Sequence, residues 1–159
     1  MKKYELLVDD TITFFGVQLF RIKALISFSG VEKGEVGGYV ASESNLSQYG
    51  DAWVYGDARV YGDARVYGNA EVYGDARVYG NAKVYGNADY IVFKNTWSSG
   101  RYFTYTKSNK NWRVGCFYGS GAELVEKAYK DSKKSGDFYK AYVDFVEKLE
   151  EIENIHKEQ

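Results

Sequence analysis

A six-residue repeat constrains the fold of this chain more than any other feature. The dipeptide Tyr-Gly recurs at every sixth position from Tyr49 to Gly86, in units that read Val-Tyr-Gly-Asp/Asn-Ala-x. Successive side chains of a strand point to opposite faces, so the Ala and Val of each unit share one face, and x and Tyr share the other. Gly followed by Asp or Asn tolerates the backbone of a sharp corner. The repeat therefore predicts a narrow coil with Ala and Val inside.

These V-Y-G-[DN]-A-x units resemble the hexapeptide-repeat proteins, and the resemblance covers about a third of the chain. It implies a left-handed parallel β-helix with three units per turn. It implies no single function, because this fold is shared by acyltransferases, carbonic anhydrases and inert scaffolds. Three units per turn would stack residues that are eighteen apart: Trp53, Glu71 and Asp89 on one face, Arg59 and Arg77 on the second, and Arg65 and Lys83 on the third.

The repeat register extends upstream of the regular units. It places Leu46 and Val40 in line with Ala52, and an eighteen-residue interval places Val36 beneath Val54. The segment VGGYVASESNLSQ therefore reads as a degenerate first coil, which gives about three coils in all. Such a short stack exposes unpaired backbone at both ends, so we expect a cap at each end.

The chain divides into three parts on this reading, and the fold class is mainly β with an α+β C-terminal part. The alternation of Phe20, Ile22, Ala24, Ile26 and Phe28 indicates a half-buried strand, and Gly16 suits a hairpin turn. The predicted parts are an N-terminal β cap over 1–35, a β-helix over 36–93 and a C-terminal α+β domain over 94–159.

The C-terminal part is predicted to hold three strands followed by two helices. The strands are YIVFKNTW, RYFTYT and NWRVGCFYG, the last two joined by a KSNKN turn. Ser120 and Glu123 form a capping box for the first helix. The second helix runs from about Asp137 to Glu153, and its apolar stripe should cover the sheet. That stripe comprises Phe138, Ala141, Tyr142, Phe145, Val146, Leu149 and Ile152.

The residues that hexapeptide-repeat enzymes use are missing from the repeat. By that resemblance, acyltransferases need a histidine base and the carbonic anhydrases a histidine-bound zinc, whereas the one histidine here is His156, close to the end of the chain. The one cysteine, Cys116, is predicted to be a small buried thiol. We therefore expect no catalytic residue, no cofactor and no metal site.

Charge and hydropathy restrict the location and the partners. A net charge of −1 provides no long-range attraction to nucleic acid or to an anionic membrane. No apolar run approaches the roughly 20 residues that span a bilayer. A single cysteine fits a reducing compartment. The sequence predicts a cytoplasmic protein, in the host cytoplasm if it is encoded by a phage.

The aromatic content favours protein binding. Sixteen tyrosines and three tryptophans supply the rigid side chains that dominate protein–protein hot spots. We expect a non-enzymatic protein-binding module in which the β-helix is a rigid stem or an oligomerisation element, forming a dimer or trimer, and the C-terminal part engages the partner. The candidate partner-binding residues are Trp53, Arg59, Arg65, Arg77, Lys83, Trp97, Arg101, Tyr102, Trp112 and Tyr118.

A second resemblance refines this hypothesis, and two alternatives stay open. Repeats of the VYGNA type with the lead-in GGYVASESNLSQYGDAWVYG are similar to proteins of phages and prophages. That resemblance implies a host protein as partner and inhibition of a host defence system as the role. The alternatives are an acyltransferase-like hexapeptide-repeat enzyme and a sponge that sequesters a nucleotide signal between subunits.

Overall fold

The computed structural model describes residues 1–157 and shows a mainly β protein with two C-terminal helices. Nine strands precede the C-terminal part, and six of them have only two residues. The elements are β1 (Tyr4–Phe14), β2 (Val17–Ala24), β3 (Val36–Val40), β4 (Trp53–Val54), β5 (Arg59–Val60), β6 (Arg65–Val66), β7 (Glu71–Val72), β8 (Arg77–Val78), β9 (Lys83–Val84), β10 (Tyr90–Lys94), β11 (Tyr102–Thr106), β12 (Asn111–Val114), β13 (Phe117–Ser120), α1 (Gly121–Asp131) and α2 (Lys133–Lys157).

The hexad units stack as parallel strands at an interval of eighteen residues. Strand β4 pairs with β7 on a first face, β5 with β8 on a second and β6 with β9 on a third. The side chains of Ala and Val fill the interior, and those from Ala52 to Val84 are at most 1% exposed. The predicted stacking is confirmed for Trp53 with Glu71, Arg59 with Arg77, and Arg65 with Lys83.

The stacking of the first turn of the coil on the second departs from the prediction. Val40 pairs with Val60 and Leu46 bridges to Val66, so the interval there is twenty residues. A 3-10 turn over Glu43–Asn45 replaces a hexad corner, and the two extra residues lie between Leu46 and Trp53, because Trp53 pairs with Glu71 at an interval of eighteen. Val36 is therefore not stacked beneath Val54; it pairs with Lys23 and is 48% exposed.

Asp89 likewise does not extend the first-face stack as predicted. It lies in a second 3-10 turn, Asn87–Asp89, which ends the repeat. Its carboxylate accepts hydrogen bonds from the backbone of Tyr85 and Gly86. The side chain thus closes the last corner of the coil.

The last turn of the coil leaves backbone groups that have no further turn to bond. Between neighbouring turns, N–H groups of the earlier turn donate to carbonyls of the later one, as Arg59 N does to Ala76 O, and a parallel ladder alternates such bonds with bonds in the opposite sense. The last turn therefore needs both acceptors and donors. Side-chain oxygens that follow the last hexad accept from its N–H groups: Asn87 from Glu71 N, Tyr90 from Tyr73 N, Thr104 from Arg77 N, Ser108 from Lys83 N, and Asp89 from Tyr85 N. The Tyr90 hydroxyl in turn donates to Glu71 O at 2.7 Å.

The opposite end of the coil exposes carbonyl groups and meets donors. Lys3 Nζ donates to Ala52 O at 2.6 Å, and the Tyr4 hydroxyl donates to Leu46 O at the same distance. Asn45 Nδ2 donates to Ala64 O at 2.8 Å. The predicted need for caps is confirmed, since both ends are covered by side chains of matching polarity.

The N-terminal segment is a β-hairpin that continues the second face. Strands β1 and β2 are antiparallel and turn at Phe15 and Gly16, whose φ angles are 49° and 80°, so the predicted turn at Gly16 is confirmed. Strand β2 pairs with β3, which gives a mixed sheet in the order β1-β2-β3-β5-β8. The hairpin tip reaches Tyr61, whose ring lies 5.5 Å from Phe14.

The C-terminal part is a four-stranded antiparallel sheet, β10-β11-β12-β13, followed by both helices. Ser120 caps α1 and forms the predicted capping box with Glu123. The third predicted strand is in fact two, because Gly115 has a φ of 54° and turns the chain between β12 and β13. Cys116 lies in that turn and is exposed, so the prediction of a buried thiol is wrong.

Helix α2 is longer than predicted, and its apolar stripe is only partly covered. It begins at Lys133 and buries Gly136, Tyr139, Val143 and Val146. Within the predicted stripe, Val146 is buried, whereas Phe138, Phe145 and Ile152 are exposed by 38, 50 and 42%. The helix is rotated relative to the expectation because Tyr139 and Val143 meet the core formed by the sheet.

Candidate functional site

Two of the predicted partner-binding residues are buried. Trp53 is fully buried because the N-terminal segment folds over it, with Tyr4 at 6.1 Å and Phe28 at 5.4 Å between ring centres. Trp112 is 2% exposed and lies in the core between the C-terminal sheet and the helices, next to Tyr105. The expectation that Trp53 faces outward is therefore wrong, and neither indole is part of a surface.

Tyr118 joins the C-terminal sheet to the coil. Its hydroxyl accepts hydrogen bonds from Asn109 Nδ2 at 2.8 Å and Asn111 Nδ2 at 3.1 Å. Its ring meets Tyr79 edge-on at 4.9 Å. These contacts position the sheet on the coil and leave the hydroxyl oxygen already hydrogen-bonded.

Five neighbouring rings form a partly exposed surface, which we call the aromatic patch: Phe93, Trp97, Phe138, Tyr142 and Phe145. Trp97 stacks on Phe138 at 4.6 Å with parallel planes and lies 5.8 Å from Tyr142. Phe93 connects Tyr142 at 4.9 Å to Phe145 at 6.4 Å. Phe138 and Phe145 keep 38 and 50% of their surface in solvent, so the rings are contiguous and accessible.

Predicted candidates flank the loop that carries Trp97. Both Arg101, the last residue of this loop, and Tyr102, the first residue of β11, are exposed. Lys94 lies opposite Tyr102 across the strand pair, with its ammonium 5.8 Å from the ring. The structure thus brings Trp97, Arg101 and Tyr102 to one end of the sheet.

Arg65 and Lys83 lie on a second surface, which we call the third-face groove. A cavity of about 560 Å³ opens there between β6, β9 and the segment around Leu46, and Tyr49 and Tyr67 contribute to its walls. Both cations are exposed, and among residues 1–157 neither has a carboxylate within salt-bridge distance. The groove combines aromatic rings with two cations, and its lining also includes Glu43, which pairs with Lys2.

Arg59 and Arg77 belong to a third group together with Arg113, which we call the arginine cluster. The guanidinium carbons of Arg59 and Arg77 lie 4.3 and 4.7 Å from the Phe14 ring centre. That of Arg113 lies 4.7 Å from Tyr79, 5.5 Å from Tyr61 and 5.2 Å from Phe15. The cluster joins the hairpin tip, the second face and strand β12.

Sequence reasoning missed Arg113, Phe14 and Phe15 as members of a site. Arg113 alternates with Trp112 in β12, so its position on the coil-facing side of the strand could have been found from the period of two. No sequence signal places the tip of a hairpin over a particular face of the coil. The ring contacts of Phe14 and Phe15 therefore emerge only from the tertiary structure.

The single histidine and the acidic side chains form no candidate metal site within the described part of the chain. Among residues 1–157 no three His, Cys, Asp or Glu side chains are grouped so that they could hold a metal ion. His156 lies in the last turn of α2 and is exposed. No helix in the described part of the chain is long and apolar enough to cross a membrane.

The fold and the repeat define this chain as a repeat β-solenoid protein. Residues 52–68, 58–74, 64–79 and 70–86 each match a family model described as the YdcK beta solenoid repeat. The match spans the regular hexads, where the parallel ladders lie. No curated protein matches the chain significantly.

Proposed function

We propose that this protein is a non-enzymatic protein-binding module that contacts its partner through the aromatic patch. The observation that carries the proposal is the contact of five rings, two of them with 38 and 50% of their surface in solvent. Exposed contiguous aromatic groups mark interaction surfaces, because their burial releases water at a small cost in side-chain entropy.

The solenoid acts as a rigid stem for this surface. Side chains of the C-terminal part hold the last turn of the coil through its backbone N–H groups, as Thr104 and Ser108 do. Tyr118 and Arg113 add ring contacts to Tyr79. A surface fixed by its scaffold loses less entropy on binding than a mobile one.

The finer assignments belong to the same proposal. We take the coil to be left-handed with about three turns and the protein to be of the phage VYGNA type, working in the host cytoplasm as an inhibitor of a host defence protein. The resemblance of the hexads supports the hand, and the lead-in sequence before Trp53 supports the phage origin. An experimental structure tests the hand, and identification of the captured partner tests the role.

Affinity capture from bacterial lysate with point variants tests the proposed surface. Truncation after Lys94 is unsuitable, because it would remove Thr104 and Ser108 and leave the end of the coil unsatisfied. Phe145→Asp places a charge in the aromatic patch, whereas Tyr85→Asp does so at an exposed ring of the repeat, 58% in solvent. We expect capture of a specific protein to be lost at least tenfold only with Phe145→Asp; equal capture by both variants would refute the surface.

The third-face groove supports a second candidate function, the sequestration of a nucleotide signal. Arg65 and Lys83 offer charge to phosphates, and Tyr49 and Tyr67 offer rings to a base. A second copy packed on this face would close the groove, in keeping with a homo-oligomer. Titration calorimetry with ATP tests this: binding that Arg65→Gln and Lys83→Gln each weaken supports it, and no measurable heat of binding contradicts it.

A further inference from the structure

The arginine cluster brings together three like charges on parts of the chain that are distant in sequence. Arg59 and Arg77 project from neighbouring strands of the second face, directly opposite each other. Arg113 approaches the second face from the C-terminal sheet. Its guanidinium lies over the rings of Tyr61 and Tyr79, which are neighbours on that face. The cluster is separate from the aromatic patch and from the third-face groove.

Within residues 1–157 none of the three guanidinium groups is paired with a carboxylate, and the hydrogen-bonding neighbour of Arg113 is the neutral hydroxyl of Tyr61. Asp57 and Asp10 form salt bridges with Arg21 instead. Arg113 is only 8% exposed, and its Nε is buried without a partner. Buried charged groups are normally paired, so the protein leaves these charges unpaired.

The surrounding rings stack on the planar faces of the guanidinium groups, and the N–H groups at the edges of these planes make no contact with the rings. A guanidinium stacked on a ring keeps its N–H groups in its own plane, free for an oxygen. Burial lowers the pKa of Arg77, and the nearby charges of Arg59 and Arg113 lower it further, while Asp75 raises it without forming an ion pair. An added negative charge would relieve the repulsion and supply the missing acceptors.

We propose that the arginine cluster is a binding site for an oxyanion, a phosphate or carboxylate group that the N–H groups of Arg59, Arg77 and Arg113 hold together. Arg59 and Arg77 are half-buried, which leaves the group a route from solvent. Carboxylate and phosphate oxygens match the planar fork of arginine donors. Because the site includes residues of both the coil and the C-terminal sheet, an anion bound there ties the two parts together.

Thermal denaturation and calorimetry with inorganic phosphate and with succinate test this site. We expect one of the two anions to raise the melting temperature above that in sodium chloride of equal ionic strength, because it binds only the folded state. A response to phosphate alone identifies a phosphate group as the ligand, and a response to succinate alone identifies a carboxylate. The absence of a rise with either anion would overturn the proposal.

Variants separate this site from general charge effects. Arg59→Gln and Arg77→Gln change half-buried residues and should weaken the binding of the active anion at least tenfold. Lys134→Gln removes one positive charge from the exposed surface of α2 and should leave it unchanged. Equal binding of the anion by these three variants would overturn the proposal. The test does not depend on Arg113→Gln, which removes a buried side chain. Capture of a protein through the aromatic patch is unaffected by either outcome, so the two proposals fail independently.

Discussion

At the scale of single residues, Lys3 caps a carbonyl group at the start of the coil, and its burial disfavours the charged form of its side chain. Its side chain is 2% exposed and donates to Ala52 O and, at 3.4 Å, to Gly50 O. Burial lowers the pKa of Lys3 from 10.5 to about 8, although Asp51 opposes the change. Between these values the unfolded chain binds more protons than the folded one, so the contribution of Lys3 to stability rises with pH in this window.

Lys3→Met tests this linkage. The variant keeps the length of the side chain and removes its titration, so the stability of the wild type should improve relative to Lys3→Met as pH rises from about 8 to 10.5. Urea denaturation across this range measures the difference, and the tyrosine titrations are common to both proteins. A difference that stays constant would show that the ammonium is not desolvated.

Trp53 provides the second test at this scale, because the structure buries a residue that the repeat pattern places outside. Trp53→Ala should lower the free energy of unfolding by about 3–5 kcal/mol, the usual cost of removing a buried aromatic side chain. The matched control is Tyr49→Ala, at a repeat position that is 86% exposed, where we expect a change within about 0.5 kcal/mol. Similar losses in the two variants by urea denaturation would contradict the burial of Trp53.

At the scale of elements, the backbone groups at the two ends of the coil determine which side chains can cap it. Every N–H group named at the last turn meets a side-chain oxygen, and the carbonyl groups at the other end meet ammonium, hydroxyl and amide donors. The last turn also offers carbonyls, since the Tyr90 hydroxyl donates to Glu71 O at 2.7 Å. Each cap therefore has to match the particular donors and acceptors of the turn that it covers.

Thr104→Val tests the cap over the last turn of the coil. The substitution preserves the shape of the side chain and leaves the N–H of Arg77, 2.9 Å from the threonine oxygen, without an acceptor. We expect a loss of about 1–3 kcal/mol, as for other unsatisfied donors. Faster amide exchange at Arg77 should accompany it. Thr13→Val, at an exposed position of β1, is the control; an equal loss there, or protected exchange at Arg77, would argue against the cap.

Helix α2 is held to the sheet at its C-terminal half by polar contacts. Tyr105 donates a hydrogen bond to the Glu150 carboxylate, Lys110 pairs with the same residue at 3.0 Å, and Lys107 pairs with Glu153. Burial and the hydrogen bond to Glu150 raise the pKa of Tyr105 well above its usual range. These contacts orient the helix so that Phe138 and Phe145 stay on the accessible side.

At the scale of the whole molecule, the repeat could be predicted because its information is local. Each hexad contains its own inward residues and its own corner. The pairing of Arg59 with Arg77 follows from this period together with the three units per turn that the resemblance to hexapeptide-repeat proteins implies. The burial of Trp53, the exposure of Phe145 and the position of Arg113 depend on contacts between distant segments, which a period does not encode. The twenty-residue interval from Val40 to Val60 arises where the repeat pattern is weakest.

The same reasoning explains which parts of the candidate sites were found. Arg65 and Lys83 occupy outward positions of the repeat and are exposed, as the alternation predicts. Trp97, Arg101 and Tyr102 were identified by residue type, and the structure brings them to one end of the C-terminal sheet. The rings of α2 were expected to be covered, and only the rotation fixed by Tyr139 and Val143 reveals that part of them is free.

Site-specific photo-crosslinking in bacterial lysate tests the central claim, partner binding through the aromatic patch, most directly. A photoreactive phenylalanine analogue at Phe145 should give one discrete adduct, and excess unlabelled wild-type protein should abolish it. The same excess of Phe145→Asp should not compete, and the analogue at Tyr85 should give no such adduct. A discrete adduct from Tyr85 with none from Phe145 would contradict the claim and place the partner on the coil.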